Sequence, residues 1–431
     1  MKKILLVLFI ISQALAVGEA GAVFLLIAPG AGPVGTGEAQ VAKVDDVYAS
    51  YYNPAGLGYL TGSEIAVMHV NWLPNLADDI YYDFLAYRQT IPQLGTFATH
   101  LIYLNLGEQL RTDESGTNLG TFNSNMWSLS GSFGSAFSKS SSIGLSFKVI
   151  QQNLAPEGAG SEGTKGSSTN VLFDLGYLKK TNWINFGLSV SNVGPKIWFQ
   201  DKGQADPAPT NMKFGIYSTL YKDSYNKLSV LMDANKMLVA RYPAMDWDGD
   251  GLISGSKERA HSDSWYQAIF TSWLDDWYFG GDYDLNGDFK IGGWSCPDND
   301  GITQEQDGSY KCNGGVDDFV ETDVDFNDSS YGLYSEPDDA NKVYLEKGSG
   351  ESRKFKTELE EMIYNFGIEY WYSDIFVIRG GYIYDYEGKI ANPTFGAGLR
   401  FGQYGFDFGY TAGEQGHPRS NTMFFSINIG I

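Results

Sequence analysis

Carboxylates at alternate positions carry the clearest chemistry in this sequence. The stretch DWDGDGLIS places Asp246, Asp248 and Asp250 at positions 1, 3 and 5 of a calcium loop, with Gly251 at position 6. Leu252 would lend its carbonyl at position 7 and Ser254 its hydroxyl at position 9. The pattern suits a hard divalent cation, because alternation turns every second side chain toward the ion and the glycine permits the sharp bend around it. Position 12 holds Lys257 in place of a bidentate Glu, and Glu258 comes one residue late. A second loop, DYDLNGDFKI, offers Asp284, Asn286 and Asp288, with Ile291 at position 8 and Phe289 where glycine is expected. Starting instead at Asp282 puts Gly287 at position 6. A third piece, CPDNDGI, adds Asp298 and Asp300. These partial loops predict structural Ca2+, held at the affinity of extracellular modules, about 10⁻⁴ to 10⁻³ M. The plainer alternative is a solvated acidic loop. Bare carboxylates at this density repel one another and disfavour order, and calcium relieves that repulsion.

Other chemistries find less support. Cys296 and Cys312 are the only cysteines and share the acidic block. In an exported chain such a pair reads as a disulfide, closing a loop of about 15 residues worth roughly 3 kcal/mol in the chain-entropy account. A two-cysteine metal site fits less well beside so many hard oxygens. His69, His100, His261 and His417 lie in unrelated contexts, with neither zinc nor triad spacing. No catalytic residue and no enzyme activity are therefore expected. GAGPVG, from Gly30 to Gly35, matches a dinucleotide fingerprint. The fingerprint needs a βαβ unit and an acidic residue about twenty positions on, and Pro33 removes an N–H that a phosphate would use. It reads as a tightly packed glycine-rich turn.

The elements that must carry these loops are strands. The chain has 431 residues, 15% of them aromatic, and 52 glycines. The formal charge of −22 excludes nucleic acid as a partner, since phosphate binding needs basic patches. Residues 246–345 own −18 of that charge. Residues 1–16 read as a signal peptide: Met1-Lys2-Lys3, the apolar run Ile4–Ile11, and Ala14-Leu15-Ala16 at the cleavage site. From about Glu64 onward the pattern is alternation. In SIGLSFKV, Ile143, Leu145, Phe147 and Val149 share one face, opposite Ser142, Gly144, Ser146 and Lys148. TFGAGLRF, YGFDFGY and the last residues to Ile431 repeat it. Period two with one apolar face is a half-buried strand. Fourteen such segments of about ten residues are expected, an even number, as in an outer-membrane barrel whose apolar face meets lipid. A soluble β-sandwich is the alternative, but it uses shorter strands of about five or six residues. The expected division is 17–60 before the first strand, barrel strands over 61–245 and 346–431, and an acidic extracellular insertion over 246–345. Within it, SWYQAIFTSWLDDWYF suits a helix or a hairpin, with its aromatics used for packing.

One turn is over-specified. In SYYNPAGLGYL, Pro54 sets Asn53 extended, Asn53 caps a first helical turn, and Gly56 can end it. Together with LLIAPGAGPVGTGEAQVAKVDDVYASYYNPAGL around it, this resembles the N-terminal segment of the PorV/PorQ proteins, relatives of FadL-type transporters. YNFGIEYWYSDIFVIRGGYIYD, PTFGAGLRFGQYGFDFGY and NTMFFSINIGI are similar to that family's closing strands. The sequence departs from the family in its acidic block, in its final Ile431, and in Met423-Phe424.

The resemblance implies an all-β, fourteen-stranded, FadL-like transmembrane barrel in the bacterial outer membrane, with residues 17–60 as a luminal hatch and loops at the cell surface. It implies a role in type IX secretion, with secreted cargo C-terminal domains and translocon or attachment components as partners beside outer-membrane lipid, and no organic cofactor. The alternatives are a FadL-like passive channel for hydrophobic molecules and a calcium-stabilised surface or adhesion protein. Asn53, Pro54 and Gly56 become the turn that leaves the hatch, with Tyr51 and Tyr52 against the wall. Alternation points Arg379, Arg400 and Asp407 into the lumen, where a structural network is expected.

Overall fold

Alternation of this length can satisfy its backbone in lipid only by closing into a ring. The computed structural model describes residues 20–43, 45–112, 117–155, 166–199, 205–242, 244–246, 253, 258–275, 282–283, 293–295, 302–304, 310–312, 344–346, 355–413 and 421–431. Its fourteen long strands form one closed antiparallel barrel. They are β1 Ser63–Asn71, β2 Tyr81–Ile91, β3 Gly95–Thr112, β4 Asn118–Ser138, β5 Ser141–Ala155, β6 Gly166–Lys180 and β7 Ile184–Val193. There follow β8 Asn211–Lys222, β9 Asn226–Met237, β10 Ile363–Tyr372, β11 Phe376–Asp385, β12 Ile390–Phe401, β13 Tyr404–Thr411 and β14 Thr422–Gly430. Every strand pairs with its neighbour in sequence, and β14 closes on β1 with Ile65 opposite Ile429. Among the described residues no helix is long and apolar enough to cross a membrane.

The two faces sort as the alternation requires. On β5, Ile143, Leu145 and Phe147 are about half exposed, while Ser142, Ser146 and Lys148 are buried. On β13 and β14 the exposed set is Tyr404, Phe406, Met423, Phe425 and Ile427. The apolar face is the outside and the polar face the inside, the reverse of a soluble sandwich. The rims differ as well. The connections 92–94, 139–140, 181–183, 223–225, 373–375 and 402–403 are short and lie on one rim, which also holds both ends of the barrel sequence. The connections 72–80, 194–210 and 238–362 leave the other rim.

The chain divides into two units, the barrel with its N-terminal segment, and residues 240–359. In the second unit, short strands pair Arg241 with Ser262 and Tyr242 with His261. The aromatic stretch at 264 forms a helix, Trp265–Thr271, begun by a Ser264–Gln267 capping box. Ala268 on that helix packs with Ala240, Tyr242 and Met245 in a small buried cluster.

Candidate functional site

The described residues before β1 are short helical turns: Val23–Leu26, Ala31–Gly35, Ala49–Tyr52 and Pro54–Tyr59. Turns this short have little stability of their own. They are held by the wall around them, because their partners are inward-facing residues on almost every strand. The segment starts near the long-loop rim, where Gly21 N donates to Pro207 O at 2.9 Å. It passes Ser426 on β14, whose hydroxyl accepts from Ala31 N at 2.8 Å, and Thr394 on β12, which accepts from Gly37 N at 3.0 Å. Asp233 on β9 accepts from Gln40 N and Val41 N at 2.6 and 2.9 Å. Ser142 on β5 donates to Ala55 O at 2.7 Å. The chain leaves by the short-turn rim, where Thr90 and Thr96 hydroxyls reach Leu60 O. Partners on so many strands of one closed ring put the segment inside it.

Glycines make this close approach possible. Gly134, Gly144 and Gly176 are register partners on β4, β5 and β6. Gly187, Gly215 and Asp233 are partners on β7, β8 and β9, then Gly367 with Gly381, and Gly396 with Gly409. A β-carbon on Gly381 would fall 2.1 Å from Gly37 N, and one on Gly187 would fall 2.2 Å from Val41 O. Nine inward glycines thus form a belt on which the segment's backbone lies flush with the wall. The signal was visible in sequence as glycine recurring on the polar face of the strands, but only the register shows that these glycines line up.

Charge fixes the segment at the short-turn end. Lys43 Nζ lies 3.0 Å from Glu369 Oε2 on β10, and both side chains are buried. Arg379 on β11 pairs with the same oxygen at 3.0 Å and with Asp407 on β13 at 2.7 Å. Arg400 completes the row, 2.8 Å from Asp407. Both guanidiniums lie over the Trp371 ring, 5.6 and 5.4 Å from its centroid. Alternation placed Arg379, Arg400 and Asp407 in the lumen, and they are there. Lys43 and Glu369 went unrecognised, since they are 326 positions apart in sequence. Nearby, Glu64 accepts from Val47 N at 3.1 Å and pairs with Arg88 at 2.7 Å. Burial, then the charges of Asp45 and Glu64, push the Asp46 carboxyl up to about 8. Apolar contact also holds the segment along its length. Phe24, Leu25, Tyr48 and Leu57 are buried with Met68, Val70, Trp72, Tyr82, Phe84 and Phe424.

The Asn-Pro turn has a share in this. Asn53 is extended, and its side chain accepts from Ala55 N at 3.1 Å, with Pro54 in the first turn. Its amide also donates to Val41 O and to Tyr177 O on β6, so one side chain ties the turn to the segment and to the wall. Gly56 does not end the turn. The 3-10 helix runs on from Pro54 to Tyr59 and stops at Leu60, and Gly58 within it lies against the wall at Ser135 and Ala136. Tyr51 and Tyr52 are buried, but their hydroxyls donate back to Leu25 O and Pro29 O within the segment. Gly30–Gly35 is a helical turn packed on Arg379 and Gly396. His100 Nδ1 meets Ser50 Oγ at 3.0 Å, but that hydroxyl donates to Val47 O. The serine proton is therefore committed to a carbonyl.

Of the calcium-loop residues, Asp246 is buried in the strand Met245–Asp246 and pairs with Asp282 of Asp282–Tyr283. The pairing sets the first position of one loop beside the Asp282 register of the other. Asp248, Asp250, Leu252, Ser254, Asp284, Asn286, Asp288, Asp298, Asp300 and Cys296 lie outside the described residues. Cys312 ends the strand Tyr310–Cys312, opposite Ile302. Among the described residues no group of three His, Cys, Asp or Glu could hold a metal ion.

Among solved structures, the chain is similar to the Ralstonia pickettii toluene transporter TbuX, at 13% identity over 94% of this chain and 97% of that one, TM-score 0.45. It is also similar to the Pseudomonas putida toluene transporter TodX, at 12% identity over 93% and 96%, TM-score 0.44. Comparison with curated proteins gives no match. Residues 12–244 match the family described as type IX secretion system protein PorV. That match spans more than half of the sequence, so this closed outer-membrane barrel belongs to the PorV family.

Proposed function

We propose that this chain binds secreted proteins at the cell surface during type IX secretion, through the loops of its long-loop rim. The observation that carries the reading is the filled lumen. The N-terminal segment is bonded to the wall on strands all round the ring, and Lys43, Glu369 and Arg379 lock it through buried charge. A passive channel for hydrophobic molecules needs an apolar route through the lumen, and that volume is packed with Phe24, Tyr48, Tyr52 and Phe84. Binding at the rim uses the barrel as a rigid platform instead.

In this reading residues 17–60 act as a hatch that stays seated. The insertion at 246–345 would be extracellular, because short turns belong to the periplasmic rim and long excursions to the outside. Calcium would be held by the 246–300 loops in a structural role. The test is affinity capture of the tagged barrel from a host with type IX secretion. Recovery of translocon components and of cargo through its C-terminal domain is expected. Capture of neither, with the barrel folded and in the outer membrane, overturns the reading.

A further inference from the structure

The outer wall carries a groove that the secretion role does not use. It has a volume of about 540 Å³ and is open on one side. Its rim is built from Ile216, Met232, Phe366, Ile368 and Tyr382 on β8 to β11, all on the lipid-facing side. The hollow exists because Gly380 has no side chain to fill it. Arg379 and Gly381 turn inward, while Ile378 and Tyr382 turn outward, so Gly380 is an outward position. A β-carbon there would meet only Ile368 Cγ2, at 3.6 Å. Behind it the wall is intact. β9, β10 and β11 pair without a register break, and Gly37 lies against Gly381 on the inner side. The groove is therefore a blind pocket in the wall and no lateral passage.

We propose that this groove is a binding site for one acyl chain of a bilayer lipid. Three observations select that occupant. Gly380 and Ile368 lie midway along their strands, about half the ~30 Å hydrocarbon thickness from either surface, so a head group cannot reach the pocket but a chain must pass it. The rim is hydrocarbon and aromatic, with no charged side chain to pair with a carboxylate or phosphate. The volume falls within the roughly 300–1,000 Å³ of small-ligand pockets. A protein partner would need a continuous complementary face of about 1,000 Å² or more. Nothing marks one here, because outward side chains elsewhere on the barrel, such as Leu145, Leu175 and Phe406, are exposed to about the same degree. The site rests on the membrane-barrel fold and is independent of the cargo reading.

The test uses the full chain in phospholipid vesicles that contain a minor fraction of phosphatidylcholine with a mid-chain diazirine. Irradiation, digestion and mass spectrometry should place the label mainly at Met232 and within residues 366–382. Gly380→Leu fills the hollow and should lower that label about tenfold, the loss expected when roughly two methylene contacts are displaced. Leu145→Ala on β5, away from the groove, should leave it unchanged. Heat-modifiable mobility on gels confirms that each variant is folded, and Ile216→Trp fills the pocket from its other edge if Gly380→Leu fails to fold. Label spread evenly round the barrel overturns the proposal. So does label unaffected by both filling variants, or protection from label in native outer membranes, which would mean that a protein covers the groove.

Discussion

Lys43→Met tests the lock at its most exposed assumption, that charge seats the N-terminal segment. The Lys43 and Glu369 side chains are 7% and 0% exposed, and their ion pair is 3.0 Å long. Removing one partner of a buried pair costs about 3–5 kcal/mol, mostly because the other charge is left uncompensated. Here Arg379 still holds Glu369, so the lower end applies. About 3 kcal/mol shifts a seated–unseated equilibrium by roughly two powers of ten. Native-state hydrogen exchange reads this directly. Amides buried with the segment, such as Val34, Gln40, Val41 and Val47, should exchange about a hundredfold faster, while those of β4 and β5 hold their rates. Glu369→Gln should release the segment at least as far, because it takes the shared oxygen from both Lys43 and Arg379. Unchanged exchange in Lys43→Met or in Glu369→Gln would mean that this pair does not hold the segment.

The remaining predictions address the belt, the turn, the pH dependence and the metal. Gly381→Val drives a side chain into Gly37 and should cost about 1–3 kcal/mol or more of overpacking, seen as a lower temperature of heat-modifiable unfolding; an unchanged temperature would mean that the segment does not lie against the belt. Asn53→Ala removes the cap on Ala55 and two carbonyl contacts and should accelerate exchange at residues 53–59, by about 1–2 kcal/mol. Asp46 titrates near 8 when the segment is seated and near 3.8 when it is unfolded. The seated form therefore binds its proton more tightly, and the contribution is complete below about 4 and lost as pH rises through 8. Thermal unfolding temperature should fall between pH 6 and pH 9, and Asp46→Asn should flatten that dependence; an equal slope in the variant counts against it. For residues 240–359, limited proteolysis with calcium should be slower than with chelator, and identical maps would dispose of the calcium loops.

The barrel was legible because lipid leaves one way to read long alternation. Ile143, Leu145 and Phe147 define a face, and the polar residues between them define the other. Fourteen strands form, as expected, and most are close to the ten residues the pattern gives. The largest differences are at β3 and β4, where the hairpin runs on to Thr112 and back from Asn118. There polar residues such as Asn105, Glu108 and Asn123 hide the pattern past the apolar band. The lumen was only half legible. Alternation says that Arg379 and Asp407 point inward, but it says nothing of what they meet. Lys43 lies in a stretch without periodicity, and its partner is on a strand at the far end of the chain. The Asn53 turn was read correctly at its start, where cap and proline chemistry is local. It was misread at its end: the 3-10 helix runs on to Tyr59, and Gly58 is where it lies against β4 and β5.

The two kinds of contact divide the segment along its length. Toward the long-loop rim, Phe24, Leu25 and Ala28 sit among Val70, Trp72, Tyr82 and Phe424, an apolar hold that tolerates small shifts because it has no direction. Toward the short-turn rim, Lys43, Val47 and Asn53 are fixed by charge and directed hydrogen bonds. Such bonds weaken steeply when geometry slips. Between these ends the backbone lies against the belt glycines, which add no side-chain grip, and donates to Ser426, Thr394 and Asp233. A segment held this way has a stiff end and a compliant end. Its stiff end is the one beside β1, where the chain turns from lumen to wall and Glu64 accepts both from Val47 N and from Asn428 on β14, so the segment is tied at the seam that closes the barrel.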